Sequence, residues 1–263
     1  MEYIMANCLL VIKVHEKSDL YKRVVRVLSS FNNSEELSYK RIVEIHLYAR
    51  KIEIYIDGTI ESYEDILASD IYPIMYATLY KLTIWNNELF VHSTVVYKDM
   101  IGILILGDFH SGKTTLALEF EKNGWHIASY DQSILKKCGG QLIMRKGSCY
   151  QSISGSSSFI YQKRAENIEI NAVLNIRGLN EAAETDIKKV FDFNNIYRGT
   201  WNHFLWPWFT PLTNKQSIIK MDEQYIAALY HFFVIFEKLS FFSVRGSAKG
   251  IVDYFESNKN IIA

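Results

Sequence analysis

Residues 107–115 read Gly-Asp-Phe-His-Ser-Gly-Lys-Thr-Thr and match the P-loop pattern G-x-x-x-x-G-K-[ST] in full. The glycines let the backbone curl so that successive N–H groups point at a phosphate. The pattern places Lys113 to bridge β- and γ-phosphate oxygens and the Thr114 hydroxyl to ligate Mg²⁺. The predicted nucleotide-binding residues are Gly107, Asp108, Phe109, His110, Ser111, Gly112, Lys113, Thr114 and Thr115.

Two further side chains are candidates for chemistry beside this loop. Asp131 follows a short apolar strand about one helix beyond the loop, where a neighbouring strand of the sheet is expected to end. Asp131 is therefore the candidate metal ligand, together with Thr114, or the candidate base; a turn or N-cap aspartate is the alternative. His92 ends or opens the strand before the strand that leads into the loop, and a buried core histidine is the default for a lone His.

The elements around these residues predict an α/β chain. A buried apolar run, residues 101–106, leads into the loop, and a helix ending near Asn123-Gly124 follows it, which is the context in which the motif is functional. Apolar residues alternate with polar ones over residues 43–48 and 52–57, as in strands joined by turns. We predict a strand-rich N-terminal module over residues 1–66 and a catalytic domain over residues 67–263.

The rest of the chain gives further expectations for secondary structure. From Asp70, at an N-cap position, the apolar period becomes helical. Residues 132–177 look strand-rich, and residues 186–240 look helical. Residues 201–209 carry a cluster of aromatic side chains, for which we favour a core or oligomer contact slightly over a peptide-binding groove.

The composition of the chain indicates which partners and which cellular compartment to expect. The 29 basic and 29 acidic residues leave no net charge, which argues against an electrostatic grip on nucleic acid. The longest apolar runs are far shorter than the roughly 20 residues that span a bilayer. The three cysteines have no Cys-x-x-Cys spacing, as expected for reduced thiols. We therefore expect a cytoplasmic protein that binds neither nucleic acid nor membrane; a homo-oligomer stays open.

The segment NELFVHSTVVYKDMIGILILGDFHSGKTTLALEFEKNGWHIASYDQSIL, residues 87–135, resembles the catalytic core of HPr kinase/phosphorylase and its shorter homologues. Those proteins share the nucleotide fold of the PEP carboxykinases. The shared pattern is a His, the P-loop, a helix, a Gly and a strand ending in an acidic pair, here His92, residues 107–115, Gly124 and Tyr130-Asp131. The likeness covers about residues 70–140 well and continues weakly to the end.

This resemblance implies a P-loop core with a mixed sheet and transfer of phosphate from ATP-Mg²⁺ to a serine of a peptide or small protein. It implies that His92 lies near the transferred phosphate and that Asp131 is the metal ligand or base. By size, the chain is similar to the small homologues that phosphorylate ribosomally made lasso-peptide precursors.

One departure from the family pattern keeps alternatives open. Tyr130 replaces the first member of the acidic pair, so one carboxylate serves both roles or another residue helps, with His110 as the candidate helper. A nucleotide-binding regulatory subunit with impaired catalysis is the rival that Tyr130 favours. A kinase acting on a small metabolite is the second rival.

Overall fold

The described residues of the computed structural model combine β-sheets with a few α-helices, as a mixed α/β chain. They are residues 1–5, 8–16, 19–29, 39–148, 150–153, 156–159, 165–192, 194–196, 212–213, 223–236 and 238–261. Two units are distinguished, Met1–Asn86 with Leu205–Ile226, and Asn87–Phe204 with Ala227–Ala263. The module predicted over residues 1–66 falls within the first unit, which also takes in the helix that follows; its boundary stays a prediction.

The first unit contains a five-stranded sheet in the order β1-β2-β3-β4-β5. Its strands are β1 (Glu2–Met5), β2 (Cys8–Val14), β3 (Arg41–Leu47), β4 (Ile52–Ile56) and β5 (Thr59–Tyr63). The predicted alternation is confirmed, since Val43, Ile45 and Leu47 are buried while the residues between them are partly exposed. Asp57-Gly58 joins β4 to β5 with both residues at positive φ, as a tight hairpin requires.

Two helices belong to the same unit, α1 (Asp19–Ser29) and α2 (Ile71–Ile84). The predicted helix after Asp70 is confirmed, but the Asp70 side chain makes no cap hydrogen bond to α2. Its carboxylate instead accepts hydrogen bonds from the Leu67 N–H at 2.8 Å and from the Thr213 N–H and hydroxyl at 3.0 and 2.8 Å. These donors take the oxygens that an N-cap would offer to the helix.

The second unit contains a nine-stranded sheet in which β8 lies between β7 and β14. The strands of this unit's main sheet are β6 (Glu88–His92), β7 (Thr94–Lys98), β8 (Ile101–Gly107), β9 (His126–Ser129), β10 (Gln132–Cys138), β11 (Gln141–Gly147), β14 (Ile168–Leu179), β15 (Asp186–Val190) and β16 (Ser240–Gly246), and β12 (Tyr150–Ile153) pairs separately with β13 (Ser156–Phe159). Strand β14 is parallel to β8 and to β16, whereas β7 is antiparallel to β8. The sheet is therefore mixed, and its central strand β8 is apolar on both faces.

Helices α3 (Lys113–Lys122) and α5 (Ala248–Ser257) pack together in the second unit. With the sheet they enclose a core that includes Ile103, Ile105, Leu116, Phe120, Leu174, Phe242, Ile251 and Phe255. Gly124, at φ 81°, ends the α3 segment in the left-handed conformation that the sequence predicted. This core fixes the end of β8 and the start of α3, between which the P-loop lies.

The helical expectation for residues 186–240 is confirmed in one part and wrong in another. Helix α4 (Glu223–Phe236) is present, but Asp186–Val190 forms strand β15, which pairs with β16 among the described strands. The aromatic cluster of residues 201–209 lies outside the described residues. Within the described ranges, no helix is long and apolar enough to cross a membrane.

Candidate active site

The P-loop connects the end of β8, at Gly107, to the start of α3, at Lys113. The predicted strand–loop–helix order is therefore present. Gly112 holds φ 99° just before the helix, a left-handed conformation that favours glycine. A Cβ at this position would lie 2.5 Å from Cδ1 of Leu179, at the end of β14. Gly112 is thus required both by the turn and by the close approach of the neighbouring strand.

The Lys113 side chain is buried and closes on its own loop. Its ammonium group donates hydrogen bonds to the carbonyl oxygens of Gly107 at 2.9 Å and Asp108 at 3.0 Å. Burial in this position lowers the pKa of Lys113 from 10.5 to about 8, although nearby carboxylates partly oppose the effect. The loop therefore holds a weakly stabilised positive charge, which an anionic ligand would stabilise.

His92 and Asp131 come together because of the pairing between β6 and β10. The two strands are antiparallel, with His92 opposite Gln132, so the end of β6 lies beside the residue that precedes β10. The His92 Nε2–H donates a hydrogen bond to Asp131 Oδ1 at 3.2 Å. The imidazole is almost fully buried, whereas the carboxylate is 34% exposed. Two of the predicted catalytic residues thus form a hydrogen-bonded pair.

The backbone around Asp131 is held by several hydrogen bonds. The buried Thr94 hydroxyl donates to the Tyr130 carbonyl at 2.7 Å, and the Ser93 N–H donates to the Asp131 carbonyl at 3.1 Å. The Tyr130 N–H donates to the Ser148 carbonyl at 3.2 Å. Because a donor from β7 and an acceptor from the residue after β11 both bind this turn, the position of Asp131 is fixed by the sheet.

The protonation states of the pair follow from its surroundings. Burial lowers the pKa of His92, and the Lys113 charge adds to this, although Asp131 opposes it. Burial by itself would raise the pKa of Asp131, but the hydrogen bond from His92 and the charge of Lys113 outweigh it and hold the pKa below its ordinary value. At neutral pH a neutral imidazole therefore donates to an ionised carboxylate.

Phe109, inside the loop, covers one face of His92. The two rings stack with their centroids 4.4 Å apart and their planes 30° from parallel. Phe109 remains 55% exposed. The ring therefore contributes to the burial of His92 while presenting apolar surface at the loop.

Gln132 completes the contacts of the Asp131 side chain. Its Nε2–H donates a hydrogen bond to Asp131 Oδ2 at 3.3 Å. Both carboxylate oxygens are thus engaged, one by His92 and the other by Gln132. His110, the expected helper, lines the same cavity, but in the described part of the chain the hydrogen bonds to this carboxylate come from His92 and Gln132.

These groups face one cavity of about 320 Å³. It is lined by His92, Phe109, His110, Ser111, Gly112, Lys113, Thr114, Thr115 and Asp131. The structure therefore brings most of the predicted residues to one place. Gly107 and Asp108 take part differently, by holding the Lys113 ammonium with their carbonyl oxygens.

The donor set fits Mg²⁺ held together with a nucleotide. Thr114 and Asp131 bring a hydroxyl and a carboxylate to the cavity wall, and both are hard oxygen donors. No cluster of three or more His, Cys, Asp or Glu suited to a metal occurs among the described residues. Mg²⁺ bound with a nucleotide usually takes one or two protein ligands and completes its shell with phosphate oxygens and water.

Three residues of the site were not identified from the sequence. Gln132 follows Asp131 directly, and a polar side chain opening an apolar strand is a signal that was present. Thr94 lies within an apolar run, where a hydroxyl requires a partner. Leu179 gave no signal, because its contact with Gly112 depends on the parallel pairing of β14 and β8.

No protein-family model and no curated protein matches the sequence. Among solved structures, the HPr(Ser) kinase/phosphatase from Coxiella burnetii is similar, at 13% identity and a TM-score of 0.36, over 65% of this chain and 96% of that chain. A TM-score this low does not establish a shared fold, and the function is therefore argued from the site itself.

Proposed function

We propose that the chain is an ATP-dependent kinase that transfers the γ-phosphate to a serine hydroxyl of a peptide or small protein. The observation that carries the proposal is the His92–Asp131 pair, which faces the same cavity as the P-loop lysine. A phosphate-binding loop opposite an ionised carboxylate is the arrangement that phosphoryl transfer to a hydroxyl needs. The resemblance of residues 87–135 to HPr kinase/phosphorylase supports the same class of reaction.

The loop side of the cavity would bind the donor. Lys113 and the backbone N–H groups of the loop would hold the phosphates, and phosphate oxygens would replace the loop carbonyls as partners of the ammonium group. Thr114 and Asp131 would hold Mg²⁺, which when bound neutralises charge on the phosphates. These contacts fix the donor rather than react with it.

The side of the cavity formed by His92 and Asp131 would receive the acceptor serine. The serine oxygen forms the new bond to the γ-phosphorus while the bond from phosphorus to the β–γ bridging oxygen breaks, and ADP leaves with that oxygen. Asp131, fixed by His92, orients the hydroxyl and accepts its proton. Positioning and charge neutralisation supply most of the rate, because phosphoryl transfer needs little covalent help from the protein.

The acceptor class rests on the resemblance alone. Within that resemblance, a ribosomally made, lasso-type precursor peptide is the acceptor that the shorter homologues suggest. A nucleotide-binding regulatory subunit is the second candidate, and the observation favouring it is Tyr130, a buried phenol where the resemblance expects a carboxylate.

The test is transfer from radiolabelled ATP with Mg²⁺ to a library of peptides carrying serine, including C-terminal serine. The expected result is labelled peptide with the natural protein and none with Lys113→Ala or Asp131→Asn, both still folded by circular dichroism. Asp253→Asn, an exposed aspartate on α5, is the matched control and should transfer normally. Tight ATP binding without transfer would favour the regulatory subunit, and near-native turnover by Asp131→Asn would remove its assigned role.

A further inference from the structure

We propose that Gln132 is a positioning residue that holds the Asp131 carboxylate in a single orientation. His92 takes one carboxylate oxygen and Gln132 the other, so the carboxylate cannot rotate without losing a hydrogen bond. The inference rests on the proposed function for its catalytic consequence. Its structural content, the restraint of Asp131, is measurable without any transfer.

The position of Gln132 is itself fixed. Gln132 is buried, with 2% exposure, and its backbone lies opposite His92 in the pairing of β10 with β6. Its carbonyl oxygen accepts hydrogen bonds from the Ser129 hydroxyl at 2.5 Å and from the Ser148 N–H at 2.8 Å. The amide therefore approaches Asp131 from a rigid strand rather than from a mobile loop.

The chemistry of an amide suits this place. An ionised carboxylate accepts hydrogen bonds and offers none, so it selects the N–H end of the amide. A neutral donor holds the carboxylate without adding charge, whereas a second carboxylate would repel it. An ammonium group here would instead compete with the charge of Lys113 and with a bound cation.

Stability does not account for this glutamine. Its Oε1 is buried and, in the part of the chain that the structure describes, has no hydrogen-bond partner. A buried polar atom left in this state is unfavourable, because it loses its hydrogen bonds to water and gains none in the protein. The next residues of β10 that face the interior include apolar side chains such as Ile134 and Leu135. A buried polar side chain that is poorly satisfied but donates to a carboxylate in the cavity points to a role other than packing.

This assignment answers the question that Tyr130 raised. The resemblance expects two carboxylates at this turn, and the chain has one. We infer that a single carboxylate, restrained at both oxygens, serves here in place of the acidic pair, with Gln132 rather than His110 as the helper. The acceptor would then meet a carboxylate of fixed direction.

The experiment compares Gln132→Met, which keeps the volume and removes the amide, with Gln132→Asn, whose amide is one methylene too short to reach. Gln141→Met is the matched control, because Gln141 also donates to a carboxylate, Glu169, at 2.7 Å, but at an exposed site. Each variant is measured for ATP affinity, for kcat and KM of peptide transfer, and for the ¹⁵N signals of His92. Gln132→Met and Gln132→Asn should lower kcat about 10- to 100-fold, as losses of such supporting contacts do, with KM for ATP unchanged within about twofold.

The His92 signals separate this inference from the proposed function. Loss of the restraint on Asp131 should change the Nε2–H signal of His92, because that N–H donates to the Asp131 carboxylate, while Gln141→Met leaves it unchanged. If the natural protein transfers phosphate but both Gln132 variants keep kcat and the His92 signal, the inference is overturned and the kinase stands. If the natural protein never transfers phosphate, the kinase proposal fails, and the His92 signal alone decides whether Gln132 positions Asp131. If Gln132→Met does not fold, Gln132→Asn decides.

Discussion

Replacing Lys113 by methionine removes a buried positive charge from the P-loop. The lysine is 7% exposed, and its two described hydrogen bonds go to neutral carbonyl oxygens of the loop. Methionine has a similar length and no charge. The substitution therefore removes an unfavourable burial of charge together with two favourable hydrogen bonds, and the net change at one pH does not separate them.

The pH dependence of the free energy of unfolding separates the cost of burying the charge from the gain of the two hydrogen bonds. Burial lowers the pKa of Lys113 to about 8 from 10.5, so the folded protein releases this proton before the unfolded chain does. Between these values the unfolded chain binds more protons, and the free energy of unfolding rises with pH. The full difference corresponds to about 3 kcal/mol, and about 2 kcal/mol of it is expected between pH 7 and pH 9.5.

The assay is urea unfolding at several pH values from 7 to 9.5, for the natural protein and Lys113→Met. The natural protein should gain about 2 kcal/mol relative to the variant over this range. Comparison with Lys122→Met, at an exposed lysine, should give a difference that is flat within about 0.5 kcal/mol. A flat difference for Lys113→Met as well would refute the inference that the loop buries an unfavourable charge.

Two further substitutions test how neighbouring strands shape the site. Gly112→Ala should destabilise the protein by about 2–4 kcal/mol, from the left-handed backbone and the contact with Leu179. Adding Leu179→Ala should recover the packing part of that loss but not the backbone part, and simple additivity in urea unfolding would contradict the contact. Thr94→Val should cost about 1–2 kcal/mol in urea unfolding, because the Tyr130 carbonyl loses a buried hydroxyl donor. Thr59→Val, which removes a similar hydrogen bond at an exposed turn, should cost less, and equal losses would show that burial does not matter here.

Local elements were predictable where the pattern alone decides them. The strand before the P-loop is apolar throughout, and the helix after it ends at a glycine, so both appear where expected. Strand β15 was missed because Asp186 and the pair Lys188-Lys189 give it little apolar character. Charged side chains are typical of edge strands, and here they hide the alternation of apolar and polar residues that marks a strand.

The arrangement of side chains in the candidate active site was predictable in part. Residue types pointed to Asp131 and, through the resemblance, to His92, but their contact depends on the register of β6 against β10. That register brings together residues almost forty positions apart, and no local pattern specifies it. A shift by one residue would turn Gln132 and His92 to opposite faces. The role of Gln132 was therefore invisible until the pairing was known.

The electrostatics of the cavity connect stability with ligand binding. Lys113 carries a charge that burial makes unfavourable, and Asp131 stays ionised across the same cavity while His92 stays neutral. An anionic phosphate beside Lys113 would reverse the effect of burial on that group and raise the pKa of Lys113 again. The free energy lost by burying the ammonium group would then be recovered on phosphate binding. A loop destabilised in this way binds phosphate more tightly than one whose lysine is already paired with a carboxylate, because no ion pair must first be broken.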